Sequence, residues 1–184
     1  MDEQLEFLKT IARRLSEASI PYMVSGSVAM NVYAQPRMTR DIDIVIDIPL
    51  SKVDLFVSLF ESDCYVDREM IDDAIRARDM FNIIHNDWII KADFMIKKSE
   101  AYRDAEFERR RSIALDETKL YVVAPEDLVL SKLVWARENL SELQRRDVRN
   151  MLQCAKELDW AHLESWADKL SVRVLLEEAR KVDE

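Results

Sequence analysis

Residues 41–48 read Asp-Ile-Asp-Ile-Val-Ile-Asp-Ile, and this stretch decides the fold of the surrounding chain. Side chains alternate between the two faces of a strand, so the isoleucines share one face and Asp41, Asp43, Val45 and Asp47 share the other. The isoleucine face must pack on helices. The opposite face brings the carboxylates of Asp41 and Asp43 to roughly 7 Å from each other. We therefore predict a strand of an α/β fold that carries two acids on one face.

Two unpaired carboxylates held this close repel each other. A divalent cation removes that penalty, and hard oxygen ligands suit Mg²⁺. The alternative is a solvated strand face whose acids have no common function. The alternation by itself is compatible with both interpretations.

The stretch Trp-Ile-Ile-Lys-Ala-Asp-Phe-Met-Ile, residues 88–96, repeats this design. Its apolar residues fall on one face, and Lys91 and Asp93 fall together on the other. Asp93 is a candidate third carboxylate on a neighbouring strand, and Lys91 a candidate positive charge beside it. A surface ion pair between Lys91 and Asp93 is the alternative.

Gly26 is the only glycine among 184 residues, whereas average usage would give roughly 13. This count excludes a Walker A loop and a GxGxxG dinucleotide fingerprint, which need two or more glycines. Ser25-Gly26-Ser27 lies where a short apolar strand meets an apolar helix. The free N–H groups of a helix N-terminus form a natural phosphate site, and glycine allows close backbone approach. The alternative is a plain serine N-cap.

The composition is that of a folded protein, with 48% hydrophobic and 34% charged residues. The net charge of −9 argues against extended contacts along a nucleic-acid backbone. No apolar run approaches the roughly 20 residues that span a bilayer, so we expect no membrane partner. The N-terminus is unlike a signal peptide. Cys64 and Cys154 lie far apart in sequence, which favours reduced thiols in a cytoplasmic protein.

The character of the sequence changes near residue 124. Residues 1–123 mix strand and helix patterns, and 124–184 are predicted to be an all-helical region packed on that core. The helical patterns of the second part cover residues 125–139, 141–158, 160–170 and 171–181. Trp135, Trp160 and Trp166 fall on apolar helix faces and are predicted to be core residues.

Together, these features resemble the DNA polymerase beta-like nucleotidyltransferase superfamily. The resemblance rests on Gly26-Ser27, 13 intervening residues, Asp41-Ile42-Asp43-Ile44, and the later Asp93. It implies a short mixed β-sheet core flanked by helices, with a C-terminal helical bundle. It also implies transfer of a nucleoside monophosphate from a nucleoside triphosphate to an acceptor hydroxyl.

The resemblance further implies the roles of the site residues. Asp41, Asp43 and Asp93 would hold two Mg²⁺ ions, with Mn²⁺ as a substitute, and Asp93 would help to activate the acceptor. Gly26 and Ser27 would bind the triphosphate, aided by Lys91, Arg40 and Lys132. We expect Gly26→Ala to reduce activity more than stability.

A narrower resemblance connects residues 37–44, 91–93, 125–133 and 145–149 with small bacterial nucleotidyltransferases. These include the AbiEii-like toxins of type IV toxin–antitoxin systems. This branch has a lysine before the third acid and a late helical aspartate, which here correspond to Lys91 and Asp147. An antitoxin protein is the partner that this resemblance implies.

Lys132 and Asp147 each interrupt an apolar helix face about seven residues from the turn near residues 139–141. In an antiparallel hairpin they would lie at the same level. One interpretation is a buried ion pair that holds the hairpin together. The other is that both residues face the nucleotide cleft and contact phosphate or the acceptor. The two interpretations are compatible.

The run Arg109-Arg110-Arg111 fits either guidance of an RNA or a phosphate, or a solvated charged surface. His85 and His162 have no partners at ligand spacing, which favours surface or packing roles. The acceptor options are a tRNA end, a protein hydroxyl or a small molecule. The competing hypothesis is a non-catalytic nucleotide- or partner-binding protein on the same fold.

Overall fold

The computed structural model describes residues 2–181. Over these residues the chain forms nine α-helices and one mixed sheet of seven strands, in the spatial order β3-β4-β5-β2-β1-β7-β6. The strands are β1 Tyr22–Val24, β2 Ile42–Ile46, β3 Cys64–Tyr65, β4 Met80–His85, β5 Lys91–Ile96, β6 Arg111–Leu115 and β7 Thr118–Val122. The helices are α1 Asp2–Glu17, α2 Gly26–Tyr33, α3 Val53–Phe60, α4 Arg68–Ala77, α5 Ala101–Glu108, α6 Pro125–Asn139, α7 Glu142–Cys154, α8 Trp160–Lys169 and α9 Arg173–Lys181. The predicted α/β class, a mixed sheet with flanking and C-terminal helices, is confirmed.

The isoleucine face of β2 is buried, as the alternation predicts. Ile42, Ile44 and Ile46 are all fully inaccessible to solvent. Ile44 pairs in register with Phe94 of the parallel strand β5, and Phe94 contacts Phe56 of α3 edge-to-face at 5.3 Å between ring centroids. Aromatic pairs of this geometry add to the free energy gained from area burial. The β2 alternation is therefore fixed by a helix layer on one face, which leaves the acids on the other.

The chain divides into two compact units. The first contains the residues up to Val28 together with Met38–Val122, and the second contains Ala29–Arg37 together with the residues from Val123 onward. All seven strands belong to the first unit, and α6 to α9 belong to the second. Packing of the helical region on the core stays a prediction.

The tryptophan prediction is wrong for Trp135, which is 56% exposed near the C-terminal end of α6. Trp160 and Trp166 are half-buried, each with a cation above its ring: Arg180 at 4.6 Å and Lys169 at 4.4 Å from the centroid. Helical spacing predicts in which direction a side chain points from the helix axis. It does not predict how far neighbouring elements cover that side chain at each position along the helix. The core positions of α8 are filled by smaller residues, Leu163 and Ala167.

The connection between β4 and β5 also differs from the prediction. A turn at residues 86–87 with a strand starting at 88 is expected from the sequence, but β5 begins at Lys91 and Ile89 has a φ of +53°. The Trp88 ring stacks on His85 at 4.0 Å, and the backbone N–H groups of Asp87 and Trp88 donate to His85 Nδ1. These contacts take the alternating residues 88–90 out of the sheet. Of the surface and packing roles expected for His85, the structure shows packing, because His85 is buried and also contacts Phe7 edge-to-face.

Within the described part of the chain, no helix combines the length and the hydropathy that a bilayer span requires. The two cysteines are free, with Cys64 buried at the start of β3 and Cys154 exposed at the end of α7.

We expect the two thiols to differ sharply in reactivity. Burial raises the pKa of the Cys64 thiol to about 12, and the neighbouring Asp63 carboxylate adds to this effect. Because the thiolate is the reactive form, a disulfide reagent at pH 8 should label one thiol per folded chain. Cys154→Ser should abolish this fast labelling, whereas Cys64→Ser should leave it intact. Rapid labelling of Cys64 in the folded protein would contradict the buried position.

Candidate active site

Polar side chains form a row across three neighbouring strands, on the face opposite the isoleucines. Asp43 of β2 is the register partner of Asp93 on the parallel strand β5, and Asn82 of the antiparallel strand β4 is the partner of Asp93 on its other side. Residues opposite each other in adjacent strands have Cβ atoms only about 5 Å apart. The sheet therefore brings together Asp43 and Asp93, which lie 50 positions apart in sequence.

Asp41 precedes the first residue of β2, and its side chain is 54% exposed. Arg40 immediately before it is also exposed. The predicted third acid and the first two thus belong to one face of the sheet, with Asp41 at its solvent edge.

Lys91 supplies the positive charge next to these acids. Its Nζ lies 2.7 Å from Asp93 Oδ2 and 3.7 Å from Asp41 Oδ1. The hydrogen bond to Asp93 raises the pKa of Lys91 above its ordinary value, so this ammonium is charged throughout the neutral pH range. The ion pair proposed from the sequence is present, and it reaches two of the three acids.

The other oxygen of Asp93 has no such partner. Asp93 is 7% exposed, and its Oδ1 atom is buried without a hydrogen bond from any described residue. A buried carboxylate oxygen left unsatisfied carries a desolvation penalty of about 1–3 kcal/mol or more. Such an oxygen fits a group that arrives from outside the chain, either a cation or a hydroxyl donor.

Gly26 lies directly against the Asp43 carboxylate. Its φ is +61°, and a Cβ added there would be 1.9 Å from Asp43 Oδ2 and 2.5 Å from Asp43 Cγ. The backbone N–H of Ser25 donates to the carbonyl oxygen of Asp43 at 2.8 Å. Helix α2 begins at Gly26, with Ser27 as its second, half-buried residue. The N-terminus of α2, where the first N–H groups have no acceptor within the helix and a partial positive charge lies, therefore starts beside the carboxylates of Asp41, Asp43 and Asp93, here called the acid row.

Asp41, Asp43 and Asp93 have the type of oxygen ligand that a magnesium or manganese ion needs, but their side chains do not surround one common position. Carboxylate oxygens are the ligands that Mg²⁺ prefers, and Asp93 Oδ1 is a buried oxygen in need of a partner. However, among residues 2–181 no three acidic, histidine or cysteine side chains are grouped as a metal site. In this arrangement the cation at Asp93 is Lys91.

Lys132 and Asp147 form a buried ion pair in the second unit. Lys132 Nζ lies 2.7 Å from Asp147 Oδ2, and the two side chains are 4% and 3% exposed. The ion-pair interpretation of the helical hairpin is thus confirmed. A role of these two residues toward the nucleotide stays a prediction.

Arg37 is a third member of this cluster that the sequence analysis missed. Its Nε and Nη2 donate to the two oxygens of Asp147 at 3.0 and 2.9 Å. Burial disfavours the charged form of Asp147, but the hydrogen bonds from Arg37 and Lys132 outweigh it and hold the pKa of Asp147 below its ordinary value. No local pattern connects Arg37 with a residue 110 positions later.

Asn82 is the second residue that sequence reasoning missed. The signal was present, because residues 80–85 alternate and place Asn82 on the face opposite the buried Phe81, Ile83 and His85. Its register with Asp93 depends on the pairing of β4 with β5 and is not given by the strand alone.

Comparisons with known proteins support the fold. No family model matches the chain, and no curated protein matches it. Several solved structures do match it. An antigenic nucleotidyltransferase-like protein from Paracoccidioides brasiliensis aligns with a TM-score of 0.58 at 16% identity, over 97% of this chain and 92% of that one. The antibiotic-resistance factor ANT(2″)-Ia aligns with a TM-score of 0.54 at 14% identity, over 97% of this chain and 92% of that one. The lincosamide antibiotic adenylyltransferase LnuA, in a lincomycin-bound crystal, aligns with a TM-score of 0.53 at 14% identity, over 82% of this chain and 96% of that one. At these identities the likeness shows that the chain has the fold of these proteins.

The geometry adds a definite stability cost to the expectation that Gly26→Ala reduces activity more than stability. The alanine Cβ would overlap the Asp43 side chain, and an L-residue at φ +61° is strained as well. We expect the free energy of unfolding in urea to fall by at least about 1–2 kcal/mol. In an Asp43→Ala background, which removes the two closest atoms, the loss should shrink measurably. Strictly additive losses in the double mutant would contradict a direct contact.

Asp147→Asn should destabilise the protein in a pH-dependent way. Loss of the shared carboxylate removes the acidic side chain that pairs with both Lys132 and Arg37, at a cost on the order of 3 kcal/mol at pH 7. A carboxyl whose folded pKa is lowered stabilises above its unfolded pKa and loses that contribution as pH falls through the folded value. The difference from wild type in urea unfolding should therefore be constant above about pH 5 and shrink below about pH 4. Glu142→Gln, an exposed acid on the same helix, is the control; an equal effect there would contradict the assignment.

Proposed function

We propose that this protein is a metal-dependent nucleotidyltransferase that moves a nucleoside monophosphate from a nucleoside triphosphate to an acceptor hydroxyl. The observation that carries the proposal is the contact of Gly26 with Asp43, which sets a helix N-terminus beside a row of carboxylates. One arrangement thereby offers N–H donors for phosphate oxygens and acids for a cation. The fold shared with nucleotidyltransferase-like proteins supports it.

The triphosphate binds at the start of α2 in this proposal. The Gly26 backbone and Ser27 contact phosphate oxygens, because a side chain at position 26 is excluded and the first N–H groups of a helix have no intrahelical partner. Lys91 and the exposed Arg40 add positive charge. By the motif resemblance, Lys132 and Asp147 also contact the nucleotide.

Asp41, Asp43 and Asp93 hold the metal ions, two Mg²⁺ in the full proposal, with Mn²⁺ as a substitute. When bound, such ions stabilise the entering and leaving oxygens of an in-line displacement. With a cation at Asp93, the Lys91 ammonium would be available to the phosphates.

The chain itself contributes acceptor activation. The acceptor oxygen forms a bond to the α-phosphorus, the bond from that phosphorus to the bridging oxygen breaks, and pyrophosphate leaves. The proton of the acceptor hydroxyl goes to Asp93, whose Oδ1 has no hydrogen bond from the described residues. Asn82, in register with Asp93, is placed to orient the same hydroxyl.

Two observations bear on the chemical class of the acceptor. The structural neighbours include an antibiotic-resistance factor and an adenylyltransferase of lincosamide antibiotics, which favours a small-molecule hydroxyl. The AbiEii-like motif pattern favours an RNA end or a protein and an antitoxin partner.

One observation favours the alternative, a non-catalytic protein that binds a nucleotide or a partner on the same fold. Lys91 already neutralises Asp93 and approaches Asp41, so the acids are partly balanced without a metal. In that case the phosphate site would function and no transfer would follow.

The proposal predicts that Asp41→Asn and Asp43→Asn each reduce transfer by at least about 100-fold. The fold should stay intact, and thermal stability without metal should be unchanged or higher, because a repulsive charge is lost. The assay incubates the protein with each α-³²P-labelled nucleoside triphosphate, Mg²⁺ and whole-cell extract, and resolves labelled RNA, protein and small molecules.

Asp47→Asn is the matched control, since Asp47 lies in the same stretch and is exposed beyond the end of β2. Near-normal transfer by the Asp41 or Asp43 variant would refute the metal assignment. A Mg²⁺-dependent thermal shift with nucleotides, but no label in any acceptor, would establish the non-catalytic alternative.

A further inference from the structure

A cavity of about 490 Å³ lies in the first unit, away from the acid row. It is formed by the C-terminal end of α1, the segment that leads into β1, and the start of β7. Tyr22 at the beginning of β1 lines this cavity, whereas Gly26 follows the other end of the same strand. A volume in this range is typical of small-molecule sites.

Three cationic side chains line the cavity: Arg13, Arg110 and Lys119. None of the three forms an ion pair with another residue in the 2–181 range, whereas other cations of this chain do, such as Arg14 with Asp63 and Lys9 with Asp116. In a chain with an excess of nine acidic residues, cations gathered around one cavity without acidic partners indicate a site for an anion. The two acids in the lining, Glu17 and Glu117, leave a net charge of about +1.

Arg110 is held in place by its surroundings. Its guanidinium carbon lies 4.4 Å from the ring centroid of Phe107 and 5.4 Å from that of Tyr121, and its Nη1 donates to the Phe107 carbonyl. Its Nε is buried and has no acceptor among the described residues. A guanidinium fixed by cation–π contacts, with an N–H still to satisfy, is well suited to a carboxylate or phosphate.

Aromatic and apolar surface lies next to these charges. Tyr22 and Tyr121 meet edge-to-face at 5.8 Å, Lys119 lies 5.0 Å from the Tyr121 centroid, and Ile20 and Pro21 complete the wall. Such a lining suits a planar ring as well as an anionic group.

We propose that this cavity binds a small molecule in which a phosphate or carboxylate group is joined to a planar ring. Arg110 and Lys119 contact the anion, and the ring packs against Tyr121 and the Ile20-Pro21 wall. This assigns a role to the middle residue of the arginine run at 109–111 and does not depend on the proposed transfer reaction.

The test is calorimetric titration with phenyl phosphate, benzoate and inorganic phosphate, at low salt and with EDTA so that no metal occupies the acid row. We expect phenyl phosphate or benzoate to bind the wild-type protein, and inorganic phosphate to bind at least about tenfold more weakly. The preferred ring compound identifies the anionic group as phosphate or carboxylate. Failure of both ring compounds to bind at millimolar concentration would overturn the proposal.

Arg110→Met should weaken binding of the preferred ring compound about tenfold, and Lys119→Met, an exposed position that leaves the fold undisturbed, should also weaken it. Arg111→Met is the matched control, because Arg111 is adjacent but does not line the cavity. An equal loss in Arg111→Met would reduce the effect to general charge and overturn the proposal.

NMR shift changes locate the ligand. They should fall on residues 16–22 and 117–122, and Asp43→Asn should bind the compound normally. Changes confined to residues 25–27 would place the ligand at the α2 N-terminus instead and overturn the cavity assignment. Neither result affects the transfer assay with Asp41→Asn or Asp43→Asn.

Discussion

The missing Cβ at Gly26 is the constraint on which the candidate site depends. The position is left-handed, but this alone does not demand glycine, because the described chain contains seven other residues with positive φ that are not glycine, Leu140 and Ile89 among them. What distinguishes Gly26 is the space, since a Cβ would overlap the Asp43 carboxylate at 1.9 Å. A chain that accepts left-handed strain elsewhere therefore keeps its single glycine where a helix N-terminus approaches an acid.

The acid row also depends on how its charge is balanced. The Lys91 ammonium contacts both Asp93 and Asp41, and its positive charge reduces the repulsion between the two carboxylates. A buried charge must be paired, and an ammonium group of the chain itself pairs with Asp93 without any ligand. In the proposed metal-bound state, the same ammonium would compete with a divalent cation for Asp93. The residue at position 91 would then help to set the affinity of the site for metal.

The sequence predicts those parts of the site whose position follows from the regular spacing of side chains along one strand or one helix. Alternation over residues 41–48 predicts the face of Asp43, and helical spacing predicts that Lys132 meets Asp147. Contacts that depend on long-range pairing are not encoded in this way. The register of Asn82 with Asp93 follows from the order of the strands, and the Arg37 contact spans 110 positions. The strand start at residue 88 was wrong because a side-chain stack on His85 outweighs an alternating pattern.

An acidic chain can bind anions where cations without an acidic partner are gathered rather than dispersed. The field near a surface depends on the charges within about one Debye length, roughly 8–10 Å at ordinary ionic strength, and not on the total. In the first unit, cations without an ion pair line the cavity at the beginning of β1. The positive end of the α2 dipole lies just after the other end of β1. A net charge of −9 is therefore compatible with the binding of a compact phosphate group where cations are gathered.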